Sequence, residues 1–314
     1  MTRGVFQEIA ATRGFYDGRW LTEEDAETSR LSLRIRRRLH HEVSAYQEIA
    51  VYESHFFGRV LTLDNILMLT ERDEFVYHEM MVHVPLCSLP APRSVLIIGG
   101  GDCGCLREVL RHAEVERVVQ CELDERVTRV CEKWFAWVPP ALADPRVELV
   151  FHDGVRYIRD LKEFFDLVIV DSTDPVGPAL QLFQADFYRQ VAAVLKPDGV
   201  MTAQTGSPHW SAPLVGAIHD EQRRAFRHVA AYIGCIPTYQ GGTWCWSYAS
   251  RERRPMDFLA EDRITALEPD CRYYNAAIHR AAFALPTFAR QAAAGQASVR
   301  PRSRAAPGTA PRGE

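Results

Sequence analysis

Five short apolar runs, at residues 94–98, 117–122, 147–151, 165–170 and 200–204, recur through the middle of the chain. Helix-like stretches at 105–111, 125–135, 155–162 and 185–195 separate them. A run of this length without polar alternation reads as a strand covered on both faces. Strands that alternate with helices pair in parallel, because each crossover is a helix, so this region predicts a parallel sheet with helices on both faces. What precedes it has a different period. Leu31, Leu33 and Ile35, then Ile49 and Val51, then Val60, Leu61 and Leu63, with Gly58 and Asp64-Asn65 as turns, predict a small antiparallel β-meander over 28–72.

Residues 73–83 carry Phe75, Met80 and Met81 at helical spacing and predict a linking helix leading to Pro85 and the break at Pro90 and Pro92. Further on, Pro197-Asp198-Gly199 reads as a turn, 212–231 as one helix, and 232–237 with 243–250 as an antiparallel hairpin across Gly241-Gly242. The expected division is an N-terminal β-domain with its linking helix over 1–84, a larger Rossmann-like α/β domain over 85–290, and a tail over 291–314. That tail is rich in Ala, Arg, Pro, Ser and Gly and is expected to be disordered.

Composition removes several classes of function. The 37 Lys and Arg against 41 Asp and Glu give a net charge of −4, which argues against a dedicated nucleic-acid binder and is compatible with a cationic substrate. No apolar run is long enough for a membrane helix, and the polar N-terminus lacks a signal sequence. The eight cysteines include no C-x-x-C pair, so they are expected to be reduced thiols of a cytoplasmic protein rather than zinc ligands. Cys103 and Cys105, one residue apart, read as buried thiols beside a glycine turn.

That turn, Gly99-Gly100-Gly101-Asp102-Cys103-Gly104, follows the first apolar strand, and Glu122 ends the second. The pattern fits G-x-G-x-x-G with a distant acid, the fingerprint of a dinucleotide site. Asp102 argues otherwise: like charges at ~4 Å cost ~4 kcal/mol at an effective dielectric of 20, so a pyrophosphate is ill placed here. A nucleoside carrying a sulfonium, such as S-adenosylmethionine or its decarboxylated form, needs the close backbone approach of Gly99 and Gly101 and an acid for its ribose. It needs no phosphate site. Glu122 supplies that acid, or it is a charge before the helix at 125. Asp153-Gly154, after the third strand, reads either as a reader of an adenine amino group or as the N-cap of the next helix.

After the fourth strand stands Asp171-Ser172-Thr173-Asp174-Pro175-Val176-Gly177-Pro178. Both aspartates lie at the carboxyl end of the sheet, where open α/β folds bind ligands, and Pro175 keeps Asp174 out of the helical region. Two carboxylates three residues apart suit a cation; a divalent metal lacks supporting ligands nearby in the sequence. Tyr77, His78, Tyr239 and Trp244 offer ring faces to an ammonium or sulfonium, or are core residues.

At these residues the chain resembles the spermidine synthases, the polyamine aminopropyltransferases, over about residues 44–290. The matching stretches are SAYQEIAVYES (44–54), LTERDEFVYHEM (69–80), VLIIGGGDCGCLREVLRH (95–112), VVQCELD (118–124), FHDGVRYI (151–158), DLVIVDSTDPVGPALQLF (166–183), CIPTY (235–239) and YYNAAIHRAAFALP (273–286). The fold the resemblance implies is α/β, a methyltransferase-like Rossmann domain with a seven-stranded, mostly parallel sheet and a small N-terminal antiparallel β-domain, assembled as homodimers or homotetramers. The reaction implied is transfer of an aminopropyl group from decarboxylated S-adenosylmethionine, a co-substrate, to putrescine or a similar diamine, giving spermidine and methylthioadenosine. No metal or other cofactor is implied.

By matching position, Gln47, Glu122, Asp153, Gly154 and Pro178 would contact the nucleoside. His78, Asp102, Asp171, Asp174, Tyr77 and Tyr239 would line the aminopropyl and amine side, with Asp171 as proton acceptor, Asp174 holding the far ammonium and Tyr77 sharing the near contact. The chain departs from the family at the turn, where GGGDGG is usual and Cys103 replaces a glycine. That position is expected either to have ordinary backbone geometry or to shift the loop and narrow the nucleoside pocket. The rival readings are a small-amine N-methyltransferase using intact S-adenosylmethionine, and a non-catalytic nucleoside-binding regulator.

Overall fold

The computed structural model describes residues 12–25, 29–162, 164–175 and 177–296, with the side chain of Pro178 excepted. Two sheets organise the chain. The first is antiparallel, in the order β1(Thr12–Tyr16), β2(Trp20–Asp25), β3(Ser29–Val43), β4(Glu48–Ser54), β5(Arg59–Leu63), β6(Ile66–Thr70). The turn between β5 and β6 places Asp64 and Asn65 at φ 51° and 62°, the left-handed pair that a two-residue hairpin requires. The expected meander is β3 to β6. β1 and β2 extend it, and their charged sequences, TRGFY and WLTEED, hide the alternation that would have announced them.

The second sheet has seven strands, built from β7(Ser94–Gly99), β8(Arg117–Glu122), β9(Val147–Phe151), β10(Phe165–Asp171), β11(Leu195–Gly206), β12(His228–Cys235) and β13(Thr243–Ser250), in the order β12-β13-β11-β10-β7-β8-β9. The strands from β11 to β9 are parallel, and β13 runs antiparallel to both β11 and β12. Alternate side chains enter separate cores, Val95, Ile97, Val118, Leu167 and Ile169 on one face and Leu96, Ile98, Val119, Val168 and Val170 on the other. This two-sided burial is why these strands are apolar throughout.

The helices are α1(Glu74–Cys87), α2(Gly104–Leu110), α3(Glu125–Trp134), α4(Val138–Leu142), α5(Gly154–Asp160), α6(Ala185–Val194), α7(Ala212–Arg223), α8(Glu261–Leu267), α9(Ala276–Ala282) and α10(Thr287–Ala293). α1 links the sheets and is buried around nearly its whole circumference; it continues through Pro85, whose ring falls within its last turn.

Two local expectations are corrected. The helix expected over 212–231 ends at Arg223, and 228–235 is strand β12, paired residue for residue with β13. Pro197-Asp198-Gly199 lies within the span of β11, and there the pairing with β10 jumps from Phe165–Leu195 to Leu167–Val200, so 196–199 loop out opposite Asp166 alone, in keeping with the turn expected there. At the C-terminal end, 291–293 belongs to α10, and 297–314 lies outside the described residues.

Candidate active site

Parallel pairing fixes where the functional side chains meet. Asp171 at the end of β10 lies opposite Gly99 at the end of β7, and Glu122 at the end of β8 lies opposite Phe151, two residues before Asp153. All open on one cleft of about 1050 Å³, which the N-terminal sheet closes from the other side with Glu23, Gln47, Leu67 and Met68.

Gly99 is at φ 84°, and a Cβ there would stand 2.1 Å from the carbonyl oxygen of Asp171, so only glycine lets the two strand ends close. The loop beyond it is fastened from below, with Gln120 donating to the Gly100 carbonyl at 2.8 Å and the Trp137 indole donating to that of Asp102 at 2.9 Å. Cys103 stands at φ 58°, ψ 20°, left-handed, and caps α2. The usual glycine geometry is therefore kept with a cysteine in it, rather than relaxed to an ordinary conformation. The thiol is wholly buried, beside the Gln120 amide. Cys103→Gly and Cys103→Ala both lose that packing, but only the alanine keeps the strained backbone. The glycine variant is expected to be the more stable of the two by about 1 kcal/mol in denaturant unfolding.

Tyr77 and His78, adjacent on α1, both reach the cleft. The Tyr77 hydroxyl donates to Asp171 Oδ1 at 2.8 Å. Asp171 Oδ2 is buried and has no nitrogen or oxygen hydrogen-bond partner among the described residues, and the Cys105 thiol is the further group that bonds this carboxylate. Burial, then the charge of Asp102, raises the pKa of Asp171, against the pull of His78 and the Tyr77 hydrogen bond. His78 lies between two carboxylates, Nδ1 2.6 Å from Glu74 and Nε2 3.3 Å from Asp102. Burial would lower its pKa, but Asp102 and Glu74 outweigh that and lift it to about 10. The counter-effect holds Asp102 ionised: burial raises its pKa, and His78 with the Gly104 amide, 2.7 Å from Oδ1, brings it below the usual value. Behind them Arg107 clamps Glu74 through two hydrogen bonds, at 3.0 and 2.8 Å. A Cβ on Gly104 would lie 2.2 Å from the His78 ring, so this glycine is what admits the imidazole.

On the other side of the cleft, burial raises Glu122 to about 7 despite the Asp124 amide that donates to it at 2.8 Å. Gln47 donates to Asp124 Oδ2 at 3.0 Å, which sets it across from Glu122. Asp153 is an N-cap, accepting from Val155 at 2.9 Å and Arg156 at 3.2 Å, and still lines the cleft, so capping and exposure to a ligand coexist. Gly154 packs against Ile98 where a Cβ would come within 2.6 Å.

Asp174 lines the cleft beside Gln204, its pKa raised by burial. Tyr239 presents its ring: the hydroxyl is committed to the Met68 carbonyl at 2.6 Å, and the ring stacks edge-on with Trp244 at 4.7 Å. Of the residues singled out from sequence, all but Pro178, whose side chain lies outside the described residues, are thus placed on or directly behind one cleft. Glu23 was missed. It sits on β2 close enough for the Asp174 charge to act on it; burial lifts it to about 7, while the Leu67 amide donates to its carboxylate. Its only sequence signal was an acid within a strand too polar to recognise.

Residues 74–261 match the spermine/spermidine synthase domain, and residues 19–71 match the spermidine synthase tetramerisation domain. The chain belongs to the spermine/spermidine synthase family. It is 47% identical over 273 residues to the polyamine aminopropyltransferase of Thermoanaerobacter sp. (strain X514), covering 86% of this chain and 97% of that one. Identity to the enzyme of Moorella thermoacetica is 42%, over 87% and 96% of the two chains. A spermidine synthase solved in complex with the transition state analogue AdoDATO superposes with a TM-score of 0.83 at 35% identity, over 90% of this chain and 94% of that chain. Membership in this family accounts for both sheets, strands β2 to β6 of the antiparallel one lying in the segment matched to tetramerisation.

Proposed function

We infer that the chain is a polyamine aminopropyltransferase that moves the aminopropyl group of decarboxylated S-adenosylmethionine to putrescine or a similar diamine. The observation that carries this reading is the cleft's charge: eight carboxylate side chains line it, against one arginine, Arg13, and His78. Such a wall repels phosphates and carboxylates and suits a donor with a sulfonium and an ammonium and an acceptor with two amines.

In this reading Glu122 accepts the ribose hydroxyls, Gln47, Asp153 and Gly154 flank the nucleoside, and Gly99 and Gly101 let it approach the backbone. Asp102 receives the donor's ammonium. The acceptor lies between Asp171 and Asp174, its far ammonium shared with Glu23, its methylenes against the rings of Tyr77 and Tyr239. The amine nitrogen attacks the aminopropyl carbon bonded to sulfur in line. As the C–N bond forms, the C–S pair goes to sulfur and leaves methylthioadenosine as a neutral thioether.

An amine near the lysine reference of about 10.4 gives up its proton at pH 7 at a cost of ~4.6 kcal/mol. Asp171 Oδ2, buried and without a nitrogen or oxygen partner, is the acceptor for that proton. The Tyr77 hydroxyl holds the other oxygen, and the raised pKa of Asp171 narrows the gap between donor and acceptor. The protein would act in the cytoplasm, where its thiols stay reduced, as a homodimer or homotetramer through the antiparallel sheet. Among the described residues no helix is long and apolar enough to cross a membrane.

Two results follow for binding. An ionised Glu122 accepts two hydroxyl bonds and a protonated one does not, so nucleoside affinity rises with pH and levels off above about 7. Between pH 6 and pH 8 the Kd of methylthioadenosine should fall about tenfold, and Glu122→Gln should flatten that profile. The function itself is tested by calorimetry with two donors. Intact S-adenosylmethionine brings a carboxylate towards Asp102, so the decarboxylated donor should bind at least tenfold more tightly. Equal affinity would favour a methyltransferase.

A further inference from the structure

Cys105 has no part in the proposed transfer; its thiol donates to the Asp171 carboxylate. It is the second residue of α2, is wholly buried, and its Sγ lies with an imidazole nitrogen of His78 and a carboxylate oxygen of Asp171 in a group whose atoms are all within 4.8 Å of one another. These three side chains come from α1, α2 and the end of β10, and no spacing in the sequence joins them. We propose that they form a binding site for a thiophilic divalent ion such as Zn²⁺, in which the ion occupies the position of the attacking amine and blocks the reaction reversibly.

The donor set is one nitrogen, one sulfur and one oxygen, which leaves a tetrahedral ion one open position towards the cleft. The surroundings are those of a prepared site. His78 Nδ1 is 2.6 Å from Glu74 and Nε2 3.3 Å from Asp102, so when an ion displaces the Nε2 proton the ring still donates to Glu74 and turns Nε2 to the ion, in the carboxylate–histidine–metal arrangement that orients ligating histidines. Glu74 is itself held by Arg107. Asp171 offers Oδ2, buried and without a nitrogen or oxygen partner, while Tyr77 holds Oδ1. Asp102 Oδ1, 3.3 Å from His78 Nε2, adds negative charge beside the ion without being needed as a ligand. On binding, the thiol proton of Cys105 and one imidazolium proton pass to solvent as the Zn–S and Zn–N bonds form, and no electron is transferred.

The metal site itself stands apart from the aminopropyl-transfer reading. Only its effect on turnover rests on that reading, and the experiment separates the two. Co²⁺ is titrated into the purified full chain and the thiolate-to-cobalt charge-transfer absorption recorded, for the unaltered protein, Cys105→Ala, Cys105→Ser and Cys235→Ser; Cys235 is the exposed cysteine. The expected result is one equivalent with a thiolate band in the unaltered protein and Cys235→Ser, and no band in either Cys105 variant. In the transfer assay, Zn²⁺ should then inhibit competitively with putrescine, chelation should restore turnover, and Cys105→Ala should need at least tenfold more Zn²⁺.

Absence of the band from the unaltered protein, or its survival in a folded Cys105 variant, overturns the site. Unchanged zinc sensitivity in Cys105→Ala overturns the inhibition. If the cobalt band is present and depends on Cys105 but no aminopropyl product forms with any amine, the site stands and the assigned reaction fails.

Discussion

Asp171→Asn lowers kcat by about 10²- to 10⁴-fold, the range expected for removal of a positioned general base, with a much smaller change in putrescine affinity. The amide keeps the shape of the side chain and can still accept from Tyr77, whose hydroxyl lies 2.8 Å from Oδ1. What it loses is Oδ2, which has no nitrogen or oxygen partner, as a proton acceptor. Tyr77→Phe frees Asp171 to turn and should cost less, since the acceptor survives and only its orientation is lost. Single-turnover rates with saturating donor, alongside putrescine binding by calorimetry, separate the two quantities. Near-normal turnover of Asp171→Asn with retained amine binding would remove the proton-acceptor role.

Arg107→Ala has the largest expected effect on stability. Its guanidinium makes two hydrogen bonds to Glu74 and one to Glu108, carboxylates with side chains only 6% and 1% exposed. Removing it leaves buried Glu74 with His78 alone and Glu108 with His83 and Arg111, a partial loss of pairing that costs about 3 kcal/mol. For a chain of this size that is a fall in Tm of roughly 10 °C. The loss also reaches the chemistry, because Glu74 holds His78, and His78 holds Asp102. Donor binding should therefore weaken along with stability. The double variant Arg107→Met with Glu74→Gln should regain much of the Tm, since Glu74 no longer carries a charge and Glu108 keeps His83 and Arg111 as partners, but not the donor affinity. Thermal unfolding followed with and without methylthioadenosine measures both.

Most of the site was legible because it is local. Gly99 to Asp102 and Asp171 to Asp174 are contiguous segments at strand ends, and the apolar strands that carry them announce a parallel sheet by composition alone. What was hidden depends on pairing between distant segments. β2 is half charged and β1 carries an arginine and a glycine; β2 becomes a strand by pairing with β3, and β1 by pairing with β2, so Glu23 on β2 had no signal beyond its charge. The Ala-rich stretch from 228 suits a helix or a strand equally, and pairing with β13 decides for the strand.

At Cys103 the sequence raised the right question, and the backbone answers it: the left-handed geometry is kept and the residue is strained. Tyr239 was legible as an aromatic and not as a committed hydroxyl, because its partner, the Met68 carbonyl, lies on the other sheet. Cys105 looked like an ordinary buried thiol until α1 and β10 brought His78 and Asp171 beside it.

The most direct test of the central claim is the mass of the product. Purified protein is incubated with decarboxylated S-adenosylmethionine, and separately with intact S-adenosylmethionine, against putrescine, cadaverine, agmatine and spermidine. The account predicts methylthioadenosine and an amine heavier by one aminopropyl group, with the decarboxylated donor only. A methylated amine formed from the intact donor, or donor binding with no product from any amine, would contradict it.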